Sequence, residues 1–237
     1  MRILGIETAT VVCGVAVVEN GNVLSESFLI ERNMHAEMLM DQVDRVIRGS
    51  GVGLADMDGI AVSIGPGSFT GLRIGLSSAK GLAWGVDKPI VPIATLRALA
   101  VRGIEGCGIP LPALVLPILN ARQGEVYCQL FEVDEEGNIS ELWGPKAMSV
   151  QDLFREVGER EVILTGEGAG AIRSEMEHRK PPAPRLSFLT GDLARCSAAS
   201  IALEGERRLR ENCPVDIASL EPLYIAEFHI KSPAGSA

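Results

Sequence analysis

Two separated stretches of this 237-residue chain follow one recipe. In VAVVENGNV (15–23) and CQLFEVDEEGNI (128–139), apolar residues lead to acidic ones, then to Gly-Asn, then to a β-branched residue. An apolar run broken by Asn-Gly signals a hairpin, because both residues accept the positive φ of tight hairpin turns. Its recurrence means that one supersecondary unit is present twice, which restricts the chain to folds built from a duplicated half.

The surrounding residues fill out that unit. RILGIET (2–8), VVCGVAVVE (11–19) and NVLSESFLI (22–30) read as three antiparallel strands. A helix over about 34–48 follows, with Asn33 as N-cap, a stripe of Leu39, Val43, Val46 and Ile47, and Gly49 as its stop. GIAVSI (59–64) is a strand, 71–85 a helix, IVPIA (90–94) a strand, and a short helix starts with Thr95 as cap. Residues 113–140 repeat the three-strand opening. SVQDLFREVG (149–158) is then a helix capped by Ser149, EVILTGEGA (161–169) a strand entering a glycine turn, and 191–211 one long helix. Between the units, GIEGCGIPLP (103–112) carries glycines and prolines that break either pattern. The boundary is placed there, giving a first lobe over 1–104 and a second over 105–237, whose last residues either pack back on the first lobe or fray. The predicted class is α/β, two β-β-β-α-β-α lobes facing each other across a cleft. This plan resembles the actin/Hsp70 and sugar-kinase superfold, which is ribonuclease H-like.

Composition narrows the function classes. At 46% hydrophobic and 22% charged, the chain has the material for a sizeable core. Its net charge of −9 and the lack of any Lys/Arg-rich run make it a poor nucleic-acid binder alone, so any RNA chemistry needs a partner to supply the positive surface. Cys13, Cys107, Cys128, Cys196 and Cys213 form no CxxC pair and read as reduced thiols of a cytoplasmic protein. Neither a signal peptide nor an apolar run long enough to span a membrane is predicted. His35, His178 and His229 form no HxxxH or HExxH, so no metal site is predicted, and His35 reads as a polar residue in the first turn of a helix.

Three loops are candidates for chemistry, each with a plainer alternative. IGPGSFTGLRIG (64–75) sits between a strand and a helix, where free amide N–H groups and the helix dipole favour an anion. Gly65, Gly67, Ser68, Gly71 and Arg73 can cradle phosphate there; equally, Gly71 and Gly75 can let two elements touch in a packed bend. The loop is not a Walker motif, because Leu72 and Arg73 follow Gly71 where Lys and Ser/Thr are required. In IETAT (6–10), Glu7 can reach a cation through water and Thr8 and Thr10 can reach phosphate, or the stretch is a polar turn. In NARQGEVY (120–127), Asn120 and Arg122 can face the cleft, or the turn is solvated. Two helices are candidates for contact. One carries Met34, Met38 and Met40; the other lines up Gly71, Gly75, Ser78, Ala79 and Ala83. Such faces suit a partner, or the protein's own sheet.

GPGSFTGLRIG with AKGLA behind it, ILGIETAT, HAEML and EPLYI together closely resemble the TsaB (YeaZ) family. The resemblance spans nearly the whole chain. It implies a non-catalytic subunit for threonylcarbamoyladenosine modification at position 37 of tRNA, which binds and activates the catalytic subunit TsaD, helps recruit the ATPase TsaE and forms a homodimer when alone. tRNA is then met through the complex. The implied partner-contact residues are Met34, His35, Met38, Leu39, Gly71, Gly75, Ser78, Ala79 and Leu82; the implied nucleotide or phosphate positions are Glu7, Thr8, Thr10, Gly65, Gly67, Ser68, Arg73 and Asn120. The family requires no cofactor, with weak ATP or ADP binding left open. TsaD carries metal-binding histidines after its fifth strand, where this chain reads PIATLRALA (92–100). Three departures stand out: Glu7 and Asn120 where the family has Asp, and Ala226 where it has Arg. The alternatives are an ATPase or kinase of the superfold, or an M22-type glycoprotease.

Overall fold

The computed structural model describes residues 1–31, 34–122, 124–177, 185–211 and 215–225, without the side chains of 105–107. Two apolar runs buried almost throughout, a third strand alternating in burial, and tight turns fold the start of the chain into a meander: β1 (Arg2–Glu7), β2 (Val12–Glu19) and β3 (Asn22–Ile30), each antiparallel to the last. Asn20 (φ 48) and Gly21 (φ 79) make the two-residue turn that the Asn-Gly signal predicts. β4 (Gly59–Gly65) and β5 (Ile90–Ala94) extend the sheet in parallel, giving the order β3-β2-β1-β4-β5. The second sheet repeats the plan with β6 (Ala113–Asn120), β7 (Glu125–Val133), β8 (Ile139–Ser149), β9 (Glu161–Thr165) and β10 (Arg185–Phe188), in the order β10-β9-β6-β7-β8. The duplicated two-lobe α/β plan is thus present. β10, four residues long, is too short to carry a periodic signal and was not expected from sequence.

Each face of the first sheet is covered differently. On one face, α1 (His35–Ser50) and α2 (Phe69–Val86) bring Leu39, Val43, Val46, Leu76 and Ala83 onto Leu4, Ile6, Val15, Val17, Ile60 and Val62. On the other, α6 (Ala198–Arg210) brings Ile201 and Ala202 onto Ile3, Ala61 and Ile93. This helix lies very close to the strands. A Cβ on Gly5 would run into the Ala198 carbonyl oxygen, and one on Gly205 into the Ala61 side chain. The second sheet packs Leu116, Val126, Leu130, Val162 and Leu164 against α4 (Val150–Val157) and α5 (Ala169–Glu177).

The boundary expected after residue 104 falls inside α3 (Thr95–Cys107), which packs on β6. α6, from the second half of the sequence, packs on the first sheet. The two crossing helices are tied at Glu204, a buried carboxylate 2.6 Å from Arg97 and 2.7 Å from Arg207. Burial pushes this carboxyl up, but the Arg207 and Arg97 hydrogen bonds prevail and hold it below the usual range.

Several local expectations need correction. α1 has Met34 at its N-cap position with no side-chain cap, and Asn33 lies outside the described residues. The helix ends at Gly51 (φ 69) rather than Gly49. Ala94 is the N-cap of α3; Thr95 Oγ1 instead accepts a hydrogen bond from the Gly65 amide at 3.2 Å. α3 also runs on through the glycines expected to break it. Gly103 serves packing: a Cβ there would sit 2.9 Å from the Leu189 side chain. The helix expected over 191–211 is two pieces, a 3-10 turn (Gly191–Ala194) and α6, because Ser197 caps the latter by accepting from the Ala199 and Ser200 amides. Of the two fates expected for the chain's end, residues 215–225 pack back on the first lobe: Val215, Ile217 and Leu220 join its core, and the Leu223 amide donates to Ile64 O at 2.7 Å. Ala226 and the segment from Ser232 lie outside the described residues.

The close approach of α6 generates a contrast in two glycines. Gly5→Ala forces the helix off β1 and is expected to cost about 1–3 kcal/mol. Gly81→Ala, where a Cβ meets nothing within 4 Å on an exposed helix, is expected to stabilise by about 0.5–1 kcal/mol. Urea unfolding of both variants measures the difference.

Candidate functional site

The glycine loop between β4 and α2 closes directly on the turn between β1 and β2. The Ser68 amide donates to Ala9 O at 2.7 Å, and Thr8 Oγ1 donates to Gly71 O at 2.8 Å. A Cβ on Gly67 would strike the Ala9 carbonyl oxygen, one on Gly71 the Thr8 carbonyl oxygen, and one on Gly75 the Thr8 hydroxyl. Glycine is required here because backbone meets backbone with no room for a side chain. Gly65 (φ 121) is similarly crowded by Leu223 O, 2.6 Å from where its Cβ would lie. Three amides that a phosphate cradle would offer are already used: Gly65 donates to Thr95 Oγ1, Ser68 to Ala9 O, and Gly71 to the Ser68 hydroxyl that caps α2. The loop thus packs as a tight bend against the β1–β2 turn.

Glu7 holds the facing turn together. Its Oε1 accepts from the Ala9 amide at 2.8 Å and the Thr10 amide at 3.1 Å. Its Oε2 is buried and lacks a hydrogen-bond partner among the described residues. Burial pushes this carboxyl from 4.5 up to about 7; the Ser63 hydroxyl and then the two amides oppose the rise, and the nearby Glu167 charge adds to it. A carboxylate sealed in this way serves the turn, and a cation reaches it only if the turn opens. Thr10 O and Val12 O in turn receive His35 Nε2 at 3.1 and 3.2 Å, so the first residue of α1 is fastened to the same turn. Two carbonyl partners fix Nε2 as the protonated nitrogen.

The remaining predicted positions scatter. Arg73 is taken up by aromatic side chains. Its guanidinium lies 3.8 Å from the centre of the Phe69 ring, and its Nε donates to the Tyr224 hydroxyl at 3.2 Å. Asn120, on the matching turn of the second lobe, is exposed and donates to Glu167 O at 3.4 Å. Among the described residues no group of three or more His, Cys, Asp and Glu is placed to hold a metal ion, and no helix is long and apolar enough to cross a membrane. His178 and His229 lie outside the described residues.

The predicted contact residues divide by burial. Leu39, Ala79, Gly71, Gly75 and His35 are inside the first lobe and offer no side chain to a partner, a correction that follows from α1 and α2 both burying one face on the sheet. Met34, Met38, Ser78 and Leu82 are half-buried. Sequence reasoning missed the most exposed aromatic of this face. Trp84 is 81% exposed, on the same flank as Met40 at 50%. It follows Ala83, a core residue one step away on the helical wheel, so the buried spacing Leu72, Leu76, Ala79, Ala83 points Trp84 outward.

Two lobes built from one repeated unit, each with its first hairpin turned toward the next strand–helix loop, define the actin/Hsp70-like class. The C. difficile activator of 2-hydroxyisocaproyl-CoA dehydratase with bound ADPNP shares that fold at a TM-score of 0.50 and 11% identity, over 90% of this chain and 97% of that one. YeaZ from Pseudomonas aeruginosa superposes with a TM-score of 0.77 at 25% identity, over 94% of this chain and 99% of its own. The family model TsaD: tRNA N6-adenosine threonylcarbamoyltransferase matches residues 23–211. The tRNA threonylcarbamoyladenosine biosynthesis protein TsaB of Escherichia coli K12 is 39% identical over 167 residues, 70% of this chain and 69% of that protein. Its Bacillus subtilis 168 counterpart is 35% identical over 179 residues, 75% and 76% of the two chains. The chain belongs to the TsaB (YeaZ) family.

Glu7 generates a pH test with a defined sign. Between about pH 4.5 and 7 the folded protein keeps a proton on Glu7 that the unfolded chain gives up. This contribution to stability is therefore complete below pH 4.5, declines as pH rises, and levels off above about 7. Glu7→Gln removes the titration while keeping an acceptor for the two amides. The stability of the variant relative to the parent is expected to rise by on the order of 3 kcal/mol from pH 4.5 to pH 8. Chemical denaturation across that range measures it; a flat difference would show that Glu7 titrates normally.

Proposed function

We propose that this chain acts in tRNA threonylcarbamoyladenosine biosynthesis as a binding subunit without catalysis of its own. In this reading it docks on TsaD through the outer face of α1 and α2, activates it, and helps recruit TsaE. It self-associates through the same face when TsaD is absent, and it meets tRNA only through the complex. The E. coli and B. subtilis relatives bear the name of this pathway. The observation that carries the mechanistic part is the division of labour in the first lobe. Of the expected nucleotide positions, Glu7, Thr8, Gly65, Gly67 and Ser68 are consumed by packing, while the adjacent helices leave Trp84, Met40, Met38 and Leu82 at or near the surface. Exposed Trp and Met side chains are the residue types that interfaces bury with most gain. No cofactor is needed for such a role, and any ATP or ADP binding is weak.

Two variants test the face without disturbing the core. Trp84→Glu and Met38→Glu each place a charge in a desolvated contact and are expected to weaken association with TsaD at least about tenfold, read by light scattering of the purified pair. Both are expected to lower modification of unmodified tRNA by the reconstituted components. Full association by both variants would remove the α1–α2 face from the interface.

A further inference from the structure

Where the two lobes join, a pocket of ≈ 170 Å³ opens beside the N-terminus of α6. Its walls come from both halves: Val12, Glu26 and Phe28 from β2 and β3, Arg102 from α3, and Asp192 and Arg195 from the segment before α6. This volume falls below the roughly 300–1,000 Å³ of pockets that enclose drug-sized ligands, so the occupant is small.

The charges lining the pocket are only partly used. Glu26 Oε1 is fixed by the Ser197 hydroxyl at 2.7 Å and the Ala199 amide at 3.1 Å. Glu26 is an exposed residue, and its second oxygen takes no hydrogen bond or ion pair among the described residues. Arg102 is held through Nε, which donates to Asp192 O at 2.9 Å. Its two terminal nitrogens likewise have none, and no carboxylate oxygen of the described residues lies within the 4.0 Å of an ion pair with Arg102. Arg195 and Asp192 pair with each other at 3.1 Å. What remains is one open carboxylate oxygen and one open guanidinium end, opposite in sign, lining the same pocket yet held too far apart to pair directly. Phe28, half exposed, and Val12 give the apolar wall between strand and helix.

We propose that this pocket binds a small α-amino acid as its zwitterion, carboxylate on Arg102 and ammonium on Glu26, with the side chain against Phe28 and Val12. A simple anion of this size satisfies Arg102 but faces the open Glu26 oxygen, and a simple cation does the reverse. A zwitterion satisfies both, and each contact is a charge-assisted hydrogen bond. The site lies on the α6 side of the first sheet, away from the α1–α2 face, so it stands or falls independently of the docking proposed above.

The test uses the full chain and NMR titration of its backbone amides with four probes of similar size: L-threonine, L-valine, isobutyrate and isobutylamine. Saturable shifts at residues 26–28, 102 and 195–199 are expected with the amino acids and not with the single-charge analogues. Arg102→Gln and Glu26→Gln, each keeping hydrogen-bonding capacity at its fixed end, are each expected to weaken the amino-acid titration at least about tenfold. Amide spectra of both variants check that the fold is retained, and Arg102→Lys, which keeps the charge, is expected to retain part of the affinity. No saturable shift with either amino acid would overturn the assignment. So would equal binding of isobutyrate, which would make the pocket an anion site, or titration unaffected by both Gln variants.

Discussion

Backbone-to-backbone contact between the β1–β2 turn and the β4–α2 loop is the constraint from which the first lobe follows. Thr8 and Ala9 present carbonyl oxygens where Gly67 and Gly71 pass, and the Ser68 amide closes on Ala9 O. That contact fixes where α2 begins. Ser68 caps it, Thr8 Oγ1 grips Gly71 O within its first turn, and the direction of the remaining helix is then set. The direction decides which residues meet the sheet and which do not. With Leu72, Leu76, Ala79 and Ala83 turned inward, Trp84 has no place in the core. α1 is fastened to the same turn through His35, so both outer helices take their position from one short stretch of chain.

The second lobe solves the same problem with different residues. Its hairpin, β6 to β7, meets the loop after β9 at Gly166 and Gly168, where a Cβ would run into Ile118 O or sit 2.5 Å from the Ile118 side chain. The Gly168 amide donates to Ile118 O at 3.0 Å, as Ser68 does to Ala9 O. The duplication is therefore one of contact geometry as well as strand order. The lobes differ in what stands at the tip: a sealed Glu7 in the first, an exposed Asn120 in the second.

Much of this was legible in the sequence, and what was not has a common cause. The succession of elements, the opening meander and the paired halves followed from apolar runs and the recurring Gly-Asn turn, signals carried by neighbours in the chain. Glycine was harder. Gly71 and Gly75 look like a face for an external helix, yet they accommodate Thr8, more than sixty residues away in sequence. Gly103 looks like a helix breaker and instead makes room for Leu189. A glycine shows that something comes close, without showing what. Burial of a carboxylate is equally hidden: Glu7 reads as a polar turn residue, and only the fold places it out of reach of water. The role of Arg73 changed for the same reason, since Tyr224 arrives from the far end of the chain to receive it.

A two-lobed protein that turns over substrate needs groups at its hairpin tips that are free to bind in one state and release in another. Here the first tip has little such freedom. Glu7 Oε1, the Thr8 hydroxyl, the Ser68 amide and the Gly65 amide each have an internal partner, and removing any one leaves its neighbour buried without a hydrogen bond. The crossing helices add to the rigidity, because Arg97 and Arg207 converge on a buried Glu204 carboxylate that binds α3 to α6. Rigidity of this kind is a handicap for a clamp but an asset for a docking platform. A preformed face loses less conformational freedom on association, and more of its contact energy remains as affinity. The packing that takes up Glu7, Thr8 and the glycine loop is thus the same packing that sets the direction of α2 and leaves Trp84 at the surface.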